Sequence, residues 1–278
     1  MIEPFPGPAL LFCPADRPDR FVKAAAAADV VILDLEDGVA PADKPAARRH
    51  LSEVALDPAR TIVRINPAGT ADHQLDLAAL SRTGYRTVML AKAEDARDVR
   101  QLAGASAPGP LQVVALCETA RGVVNAAGLA AEDGTVALMW GAEDLVVSLG
   151  GRSSRHPDGR YRDVARHARS QVLLAAGANG RAAIDAVHLD ITDLDGLRTA
   201  AEDAAASGFV ATACIHPSQA AVVRSAFSPT PAELTWATEV LRAAEGSAGV
   251  FRFQGRMVDQ PILSQARRLL RAGGGSPT

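Results

Sequence analysis

The stretch "DVVILDLEDGVAP", Asp29 to Pro41, decides how this chain folds. It begins as an apolar, β-branched run and ends in Asp34, Glu36 and Asp37. A short, nearly continuous apolar run suits a strand buried on both faces of a parallel sheet. Ionised carboxylates do not belong in such a core, because each unpaired one is costly to remove from water. The three acids therefore require solvent at a strand end, basic partners or a metal ion.

Outward from this stretch the same pattern repeats. Apolar runs begin at Ala9 ("ALLFCPA"), Thr61 ("TIVRINP"), Thr87 ("TVMLAKA") and Leu111 ("LQVVALCET"). Others begin at Thr135 ("TVALMWGAED"), Ala183 ("AIDAVHLD") and Val210 ("VATACIHPS"). Between them lie Ala- and Leu-rich helical segments such as "PADKPAARRHLSEV", "EDARDVRQLAG" and "DLDGLRTAAEDAAASG", several closed by Gly. Strands alternating with helices predict an α/β fold with a covered parallel sheet, and eight units in about 220 residues predict a closed (β/α)8 barrel. The alternative is an open doubly wound sheet, but no Gly-rich phosphate fingerprint follows the first strand.

The barrel is assigned to residues 1–228. Residues 229–278 exceed the eightfold pattern and form a C-terminal helical extension, expected to pack on a neighbouring subunit. It reads as a helix in "SPTPAELTWATEVLRAAEGS", then a Gly-punctuated extended piece and a second helix.

Composition excludes several functions. Of 278 residues 48% are hydrophobic and 22% charged, and the net charge of -3 offers no basic field to nucleic acid or an anionic membrane. Aromatics at 4% also argue against base-stacking platforms. No apolar run approaches the roughly 20 residues of a membrane span. The N-terminus "MIEPFPGPALLF" lacks the basic and apolar regions of a signal peptide. Cys13, Cys117 and Cys214 have no metal-type spacing and sit in apolar runs, which reads as buried thiols in a reducing cytoplasm.

In a (β/α)8 barrel the C-terminal strand ends share one rim, where catalytic groups collect. Here those ends read Asp16 with Arg17, Glu36 with Asp37, Arg64 with Asn66, Lys92, Glu118, Glu143 with Asp144, Asp190, and His216. Glu118 and Asp144 end consecutive strands. One or two carboxylates plus waters and substrate oxygens is how Mg²⁺ is usually held, and no zinc-type Cys/His set competes. The alternative is two rim acids paired with Arg121 or Lys92. Arg64 can grip a carboxylate or carbonyl oxygen at two points, or form an ion pair with Glu36 or Asp37. Arg17, Arg20 and Lys23, near a helix start, suit phosphate or a solvated helix face. His216 is a hydrogen-bonded strand-end histidine or a base. Asp259, before Gln-Pro, suits a helix N-cap.

At these residues the sequence resembles the citrate lyase beta-subunit (CitE-like) family, within the HpcH/HpaI aldolase and malyl-CoA lyase superfamily. The matching pieces are "LFCPADRPDRFVKAA", "VILDLEDGVAPADKPAAR", "VRINP", "ALCETARGV", "WGAEDL", "AVHLDITDLDGL" and "CIHPSQ", with "GRMVDQP" in the tail. The resemblance implies a modified TIM barrel, dependence on Mg²⁺, a homo-oligomer of trimeric type, and cleavage or formation of carbon–carbon bonds. It implies Glu118 and Asp144 as metal ligands, Arg64 as the contact to substrate oxygens, and Glu36 and Asp37 in the same pocket. It places coenzyme A along Phe12, Arg17 and Lys23. It makes Asp259 an acid/base group reaching the site of an adjacent protomer.

The expected activity is an Mg²⁺-dependent lyase reaction on a 3-hydroxyacyl-CoA such as malyl-, citramalyl-, citryl- or hydroxymethylglutaryl-CoA, with a small keto acid as co-product. The alternatives are a metal-dependent aldolase on free 2-keto acids, a subunit of a citrate lyase complex, and a barrel that binds without turnover.

Overall fold

The computed structural model describes residues 6–105, 109–245 and 249–274. The N-terminal reading rests partly on residues 1–5, which lie outside them.

Strand β1 (Ala9–Pro14) leads through a 3-10 turn into α1 (Phe21–Ala27) and β2 (Val30–Asp34). Next come α2 (Lys44–Glu53), β3 (Thr61–Ile65), α3 (Ala71–Leu80), β4 (Thr87–Leu90), α4 (Ala96–Ala103) and β5 (Gln112–Cys117). Two short helices, α5 (Ala120–Val124) and α6 (Ala126–Ala131), precede β6 (Thr135–Trp140). Then follow α7 (Ala142–Ser148), α8 (Asp163–Ala178), β7 (Ala182–Asp185), α9 (Leu194–Ser207), β8 (Ala211–Cys214) and α10 (Pro217–Phe227). The eight strands pair in chain order, all parallel, and β8 pairs back to β1 with Leu11 opposite Cys214, closing the barrel.

Strand alternation builds the interior. One residue in two from each strand, among them Leu10, Ile32, Ile62, Met89, Leu116 and Met139, meets its counterparts on the barrel axis. The intervening residues, such as Val31, Leu33 and Val63, are buried under the helices. Each such aliphatic side chain contributes about 1.5–3 kcal/mol by leaving water, and Ile32→Ala in this layer costs about 2–5 kcal/mol. The phase also reaches the mouth: two residues beyond Leu10, Ile32, Ile62 and Leu116 stand Phe12, Asp34, Arg64 and Glu118.

The helices are fixed at their starts by side chains that accept otherwise orphaned amide hydrogens: Thr70 for α3, Asp95 for α4, Thr119 for α5 and Asp193 for α9. Asp190 departs from the expected strand end. Strand β7 stops at Asp185, whose carboxylate is held by Trp140 and Arg169. Asp190 lies in the following loop and accepts from the Thr192 amide and hydroxyl.

The chain divides into two compact units, Met1–Arg224 and Ser225–Thr278. In the second, α11 (Pro231–Ala244) opens on a reciprocal Thr230–Glu233 cap. The extended piece is an antiparallel hairpin, β9 (Phe251–Phe253) and β10 (Arg256–Val258), followed by α12 (Gln260–Ala272). Its turn residues, Gln254 and Gly255, have φ of 44° and 80°, the two positive values that a tight hairpin between right-twisted strands requires. Ala237, Val240, Val258, Leu263 and Ala266 form this unit's core.

All three cysteines are buried and free. Burial pushes the Cys13 thiol up to about 11 and those of Cys117 and Cys214 to about 12. Among the described residues no helix is long and apolar enough to cross a membrane.

Candidate active site

Register sets Asp34 opposite Arg64 across β2 and β3. Arg64 donates from Nε and Nη2 to the two carboxylate oxygens of Asp34 at 2.7 and 2.6 Å, a fork on a fork. Asp34 also accepts the amides of Glu36 and Gly38 at 2.9 Å, so it anchors the loop that carries the other two acids. Arg64 Nη1 lies 3.1 Å from Glu36 Oε2, and its guanidinium stands 4.9 Å above the Phe12 ring. Burial works against the Arg64 charge, yet the bonds to Asp34 and the fields of Asp34 and Glu36 outweigh it and raise its pKa. Two of the five guanidinium N–H groups are hydrogen-bonded to Asp34, Nη1 meets Glu36 as an ion pair, and N–H groups remain on both terminal nitrogens to offer.

Lys92, just past β4, is the second cation. Its ammonium bonds Glu36, lies 3.1 Å from Asp37 Oδ2 and 3.4 Å from Asp144 Oδ1, and its backbone N–H donates to Glu118 Oε1 at 3.1 Å. Its charge too is favoured overall: burial opposes it, and the Glu36 and Asp37 carboxylates prevail. Partial burial works to raise the Asp37 pKa, but the Lys92 bond and charge and the Arg64 charge together hold it below the usual carboxylate range.

Glu118 and Asp144 come from neighbouring strand ends, since Cys117 lies opposite Trp140 and Asp144 sits in the first turn of α7. Glu118 is 3% exposed and makes no ion pair among the described residues. Burial, then the Asp144 charge, pushes it up to about 8. Gly141 makes the room: a Cβ there would stand 2.9 Å from both Cβ and Oε2 of Glu118. These groups face a cavity of about 310 Å³ whose apolar wall includes Phe12, Leu116, Met139, Val187 and Ile215. A larger groove, about 1160 Å³, lies outside the barrel wall between α8 and α9. Its arginine at the wall, Arg169, is committed to Asp185 and Asp203.

Among the described residues the mouth therefore gathers Asp34, Glu36, Asp37, Glu118 and Asp144 around two cations, Arg64 and Lys92. A divalent cation fits this donor set. The free oxygens are hard, the acids outnumber the cations, and burial together with the Asp144 charge raises the Glu118 pKa despite the nearby Arg64 and Lys92 charges. Among the described residues no closed cage of three or more His, Cys, Asp or Glu side chains exists, so such an ion would draw the rest of its shell from water or substrate.

Six of the expected site residues, Phe12, Glu36, Asp37, Arg64, Glu118 and Asp144, thus meet at one mouth. Arg17 and Lys23 do not line the cavity: Arg17 is exposed and paired with Asp19 at 3.3 Å, and Lys23 is exposed on α1. Arg121 pairs with Glu94 rather than with the metal-type acids. His216 bonds Ser218 at 2.7 Å. Asp259 belongs to the second unit, where it caps α12 by accepting from Ile262 N at 3.5 Å. Sequence reasoning missed Asp34 as the Arg64 partner, Lys92 as a hub, and Gly141 as the space for Glu118. The signal for Asp34 was available, because it is in phase with Val30 and Ile32.

A closed parallel barrel with an arginine and a carboxylate pair at its mouth carries its polar groups where barrel enzymes place their active sites. The chain belongs to the HpcH/HpaI aldolase/citrate lyase family, whose profile matches residues 9–217. It is 61% identical to the citrate lyase subunit beta-like protein of Mycobacterium tuberculosis over 96% of each chain. It is 32% identical to the human mitochondrial citramalyl-CoA lyase over 94% of this chain and 84% of that one. The crystal structure of CitE from Mycobacterium tuberculosis in complex with magnesium, acetoacetate and coenzyme A superposes with a TM-score of 0.92 at 61% identity, covering 96% of this chain and 98% of that chain.

Proposed function

We propose that the protein is an Mg²⁺-dependent lyase that cleaves, or in reverse forms, a short 3-hydroxyacyl-CoA. One observation carries this reading: Glu118, a buried carboxylate with no ion pair among the described residues, stands beside Asp144 and shares its mouth with a clamped arginine. The ligands of the Mycobacterium tuberculosis CitE complex, magnesium, acetoacetate and coenzyme A, support it, as does the human citramalyl-CoA lyase.

Glu118 and Asp144 hold the ion, which when bound supplies the positive charge that offsets the acid excess and draws electron density from substrate oxygens. In the cleavage direction, Glu36 or Asp37 accepts the proton of the 3-hydroxyl. The Cα–Cβ bond breaks, Cβ becomes the carbonyl of a keto acid, and the electron pair passes to the thioester as an enolate. The remaining N–H groups of Arg64 stabilise the oxygen charge that develops, and the Asp34 clamp keeps them aimed while it does. The enolate carbon then takes a proton to give the free acyl-CoA, and Asp259 of an adjacent protomer is the proposed donor. Such a transfer contributes roughly 10²–10⁴-fold.

The test is a panel of malyl-, citramalyl-, citryl- and hydroxymethylglutaryl-CoA beside free 4-hydroxy-2-keto acids, each with Mg²⁺ and with chelator. Cleavage of at least one thioester that stops with chelator is expected. Turnover of free 2-keto acids alone, or activity indifferent to chelator, would overturn the reading.

A further inference from the structure

Lys92 sits where strand geometry does not put it. Met89 faces the barrel axis, so Leu90 and Lys92 share the opposite phase, and an undisturbed strand would send Lys92 out toward the helices. Instead its φ is 48°, a left-handed backbone that residues other than glycine adopt sparingly. That single turn does two things. It aims the Lys92 N–H at Glu118 Oε1, 3.1 Å away, and it swings the ammonium into the mouth between Glu36, Asp37 and Asp144.

We propose that Lys92 is a positioning residue and an internal counter-cation: its ammonium keeps the acid cluster assembled in the absence of a divalent ion, and it gives up Asp144 when that ion arrives. The inference rests on the reading of Glu118 and Asp144 as metal ligands. Lys92 is bonded to Glu36 and Asp37 as well, so it can release Asp144 without leaving the mouth. Its charge then opposes metal binding, and the affinity for Mg²⁺ is set below what the carboxylates alone would provide. The backbone contribution is separate, because the Glu118 contact is made by the main chain.

The experiment is titration calorimetry of Mg²⁺ into metal-free protein at fixed pH, on wild type, Lys92→Met, Lys92→Arg, Lys92→Gly and Glu118→Gln. Lys92→Met should bind Mg²⁺ about tenfold more tightly, since a like charge near the ion is gone. Lys92→Arg should restore the wild-type affinity. Lys92→Gly, which keeps the left-handed backbone at no steric cost, should match Lys92→Met and remains informative if that variant does not fold. A wild-type measurement stands beside these. The chain has only three lysines, Lys23, Lys44 and Lys92, so [¹³C]lysine labelling resolves the Lys92 ε-methylene signal. It should move on Mg²⁺ saturation while Lys23 stays still. Wild type that binds no Mg²⁺, or Glu118→Gln that binds it as wild type does, removes the metal reading itself. Mg²⁺ binding lost in Glu118→Gln but unchanged or weaker in a folded Lys92→Met or Lys92→Gly overturns the role of Lys92 alone, as does an unmoved Lys92 signal.

Discussion

Replacing a metal ligand usually weakens a protein, but Glu118→Gln should strengthen the metal-free form of this one. Glu118 has an ordinary pKa of 4.5 and is pushed up to about 8 by burial and the Asp144 charge. Between those values the unfolded chain has lost the proton and the folded chain still binds it. The folded state therefore binds more protons, and stability falls as pH rises through this window, levelling off above about 8. At about 1.4 kcal/mol per pH unit the penalty is about 3 kcal/mol at pH 7 and about 5 kcal/mol above pH 8. A neutral glutamine escapes it and still accepts from the Lys92 amide through its side-chain oxygen.

The assay is thermal and urea unfolding in chelator at about pH 5, 7 and 8.5. At about pH 5 wild type and Glu118→Gln should be nearly equal. At about pH 7 the variant should gain roughly 6–12 °C, taking about 2–4 °C per kcal/mol for a domain of this size. Mg²⁺ should reverse the ranking, because only wild type gains stability by binding it. Proton release gives the matching sign for the metal: its affinity should rise with pH up to about 8 and then flatten. A variant less stable than wild type in chelator at the highest pH would refute the reasoning, because it would mean that the Glu118 carboxylate is already compensated without a metal.

Gly141→Ala should leave the fold intact but weaken Mg²⁺ binding in calorimetry by at least about tenfold, because the added methyl stands 2.9 Å from Glu118 Oε2 and displaces it; wild-type affinity would show that Glu118 tolerates the shift. Arg17→Ala with Lys23→Ala should raise KM for an acyl-CoA far more than for a truncated thioester lacking the nucleotide, whereas equal effects would mean that these exposed groups never meet it. Asp259→Asn and Asp144→Ala, each inactive alone, should regain part of the activity when mixed under conditions of demonstrated subunit exchange, and no recovery would count against a site shared between protomers.

The barrel was legible because its strands are apolar on both faces and its helices carry their own start and stop signals. Thr70, Asp95, Thr119 and Asp193 each stand before a helical run and each proves to cap it. The acids and Arg64 were legible as a set because polar strand ends converge on one rim in this fold. Their pairing was less so. Arg64 was expected to meet Glu36 or Asp37, and Glu36 is indeed 3.1 Å away, but its bidentate partner is Asp34, buried one strand over. That choice depends on parallel register, which brings Asp34 level with Arg64, and register is a property of two strands together. Asp190 failed as a strand end for a related reason. Strand β7 ends at Asp185, where Trp140 and Arg169 hold the carboxylate, and a single strand's sequence does not show its neighbours.

Lys92 marks where a sequence pattern stops describing this site. Strand alternation delivers Phe12, Asp34, Arg64 and Glu118 to the mouth as one layer, each two residues beyond an axis-facing core residue. Strand β4 offers nothing at that level, since the residues in phase after Met89 are Ala91 and Ala93. A cation in this gap is what the surrounding carboxylates require. It is supplied from the wrong phase by a left-handed backbone at Lys92, at a cost of order 1–3 kcal/mol for a residue that is not glycine. Only a structure in which the neighbours over-determine that conformation keeps it, and here they do: one carboxylate fixes its amide and three surround its ammonium. The strain and the acid cluster are thus two sides of one arrangement, and neither is visible in "TVMLAKA" alone.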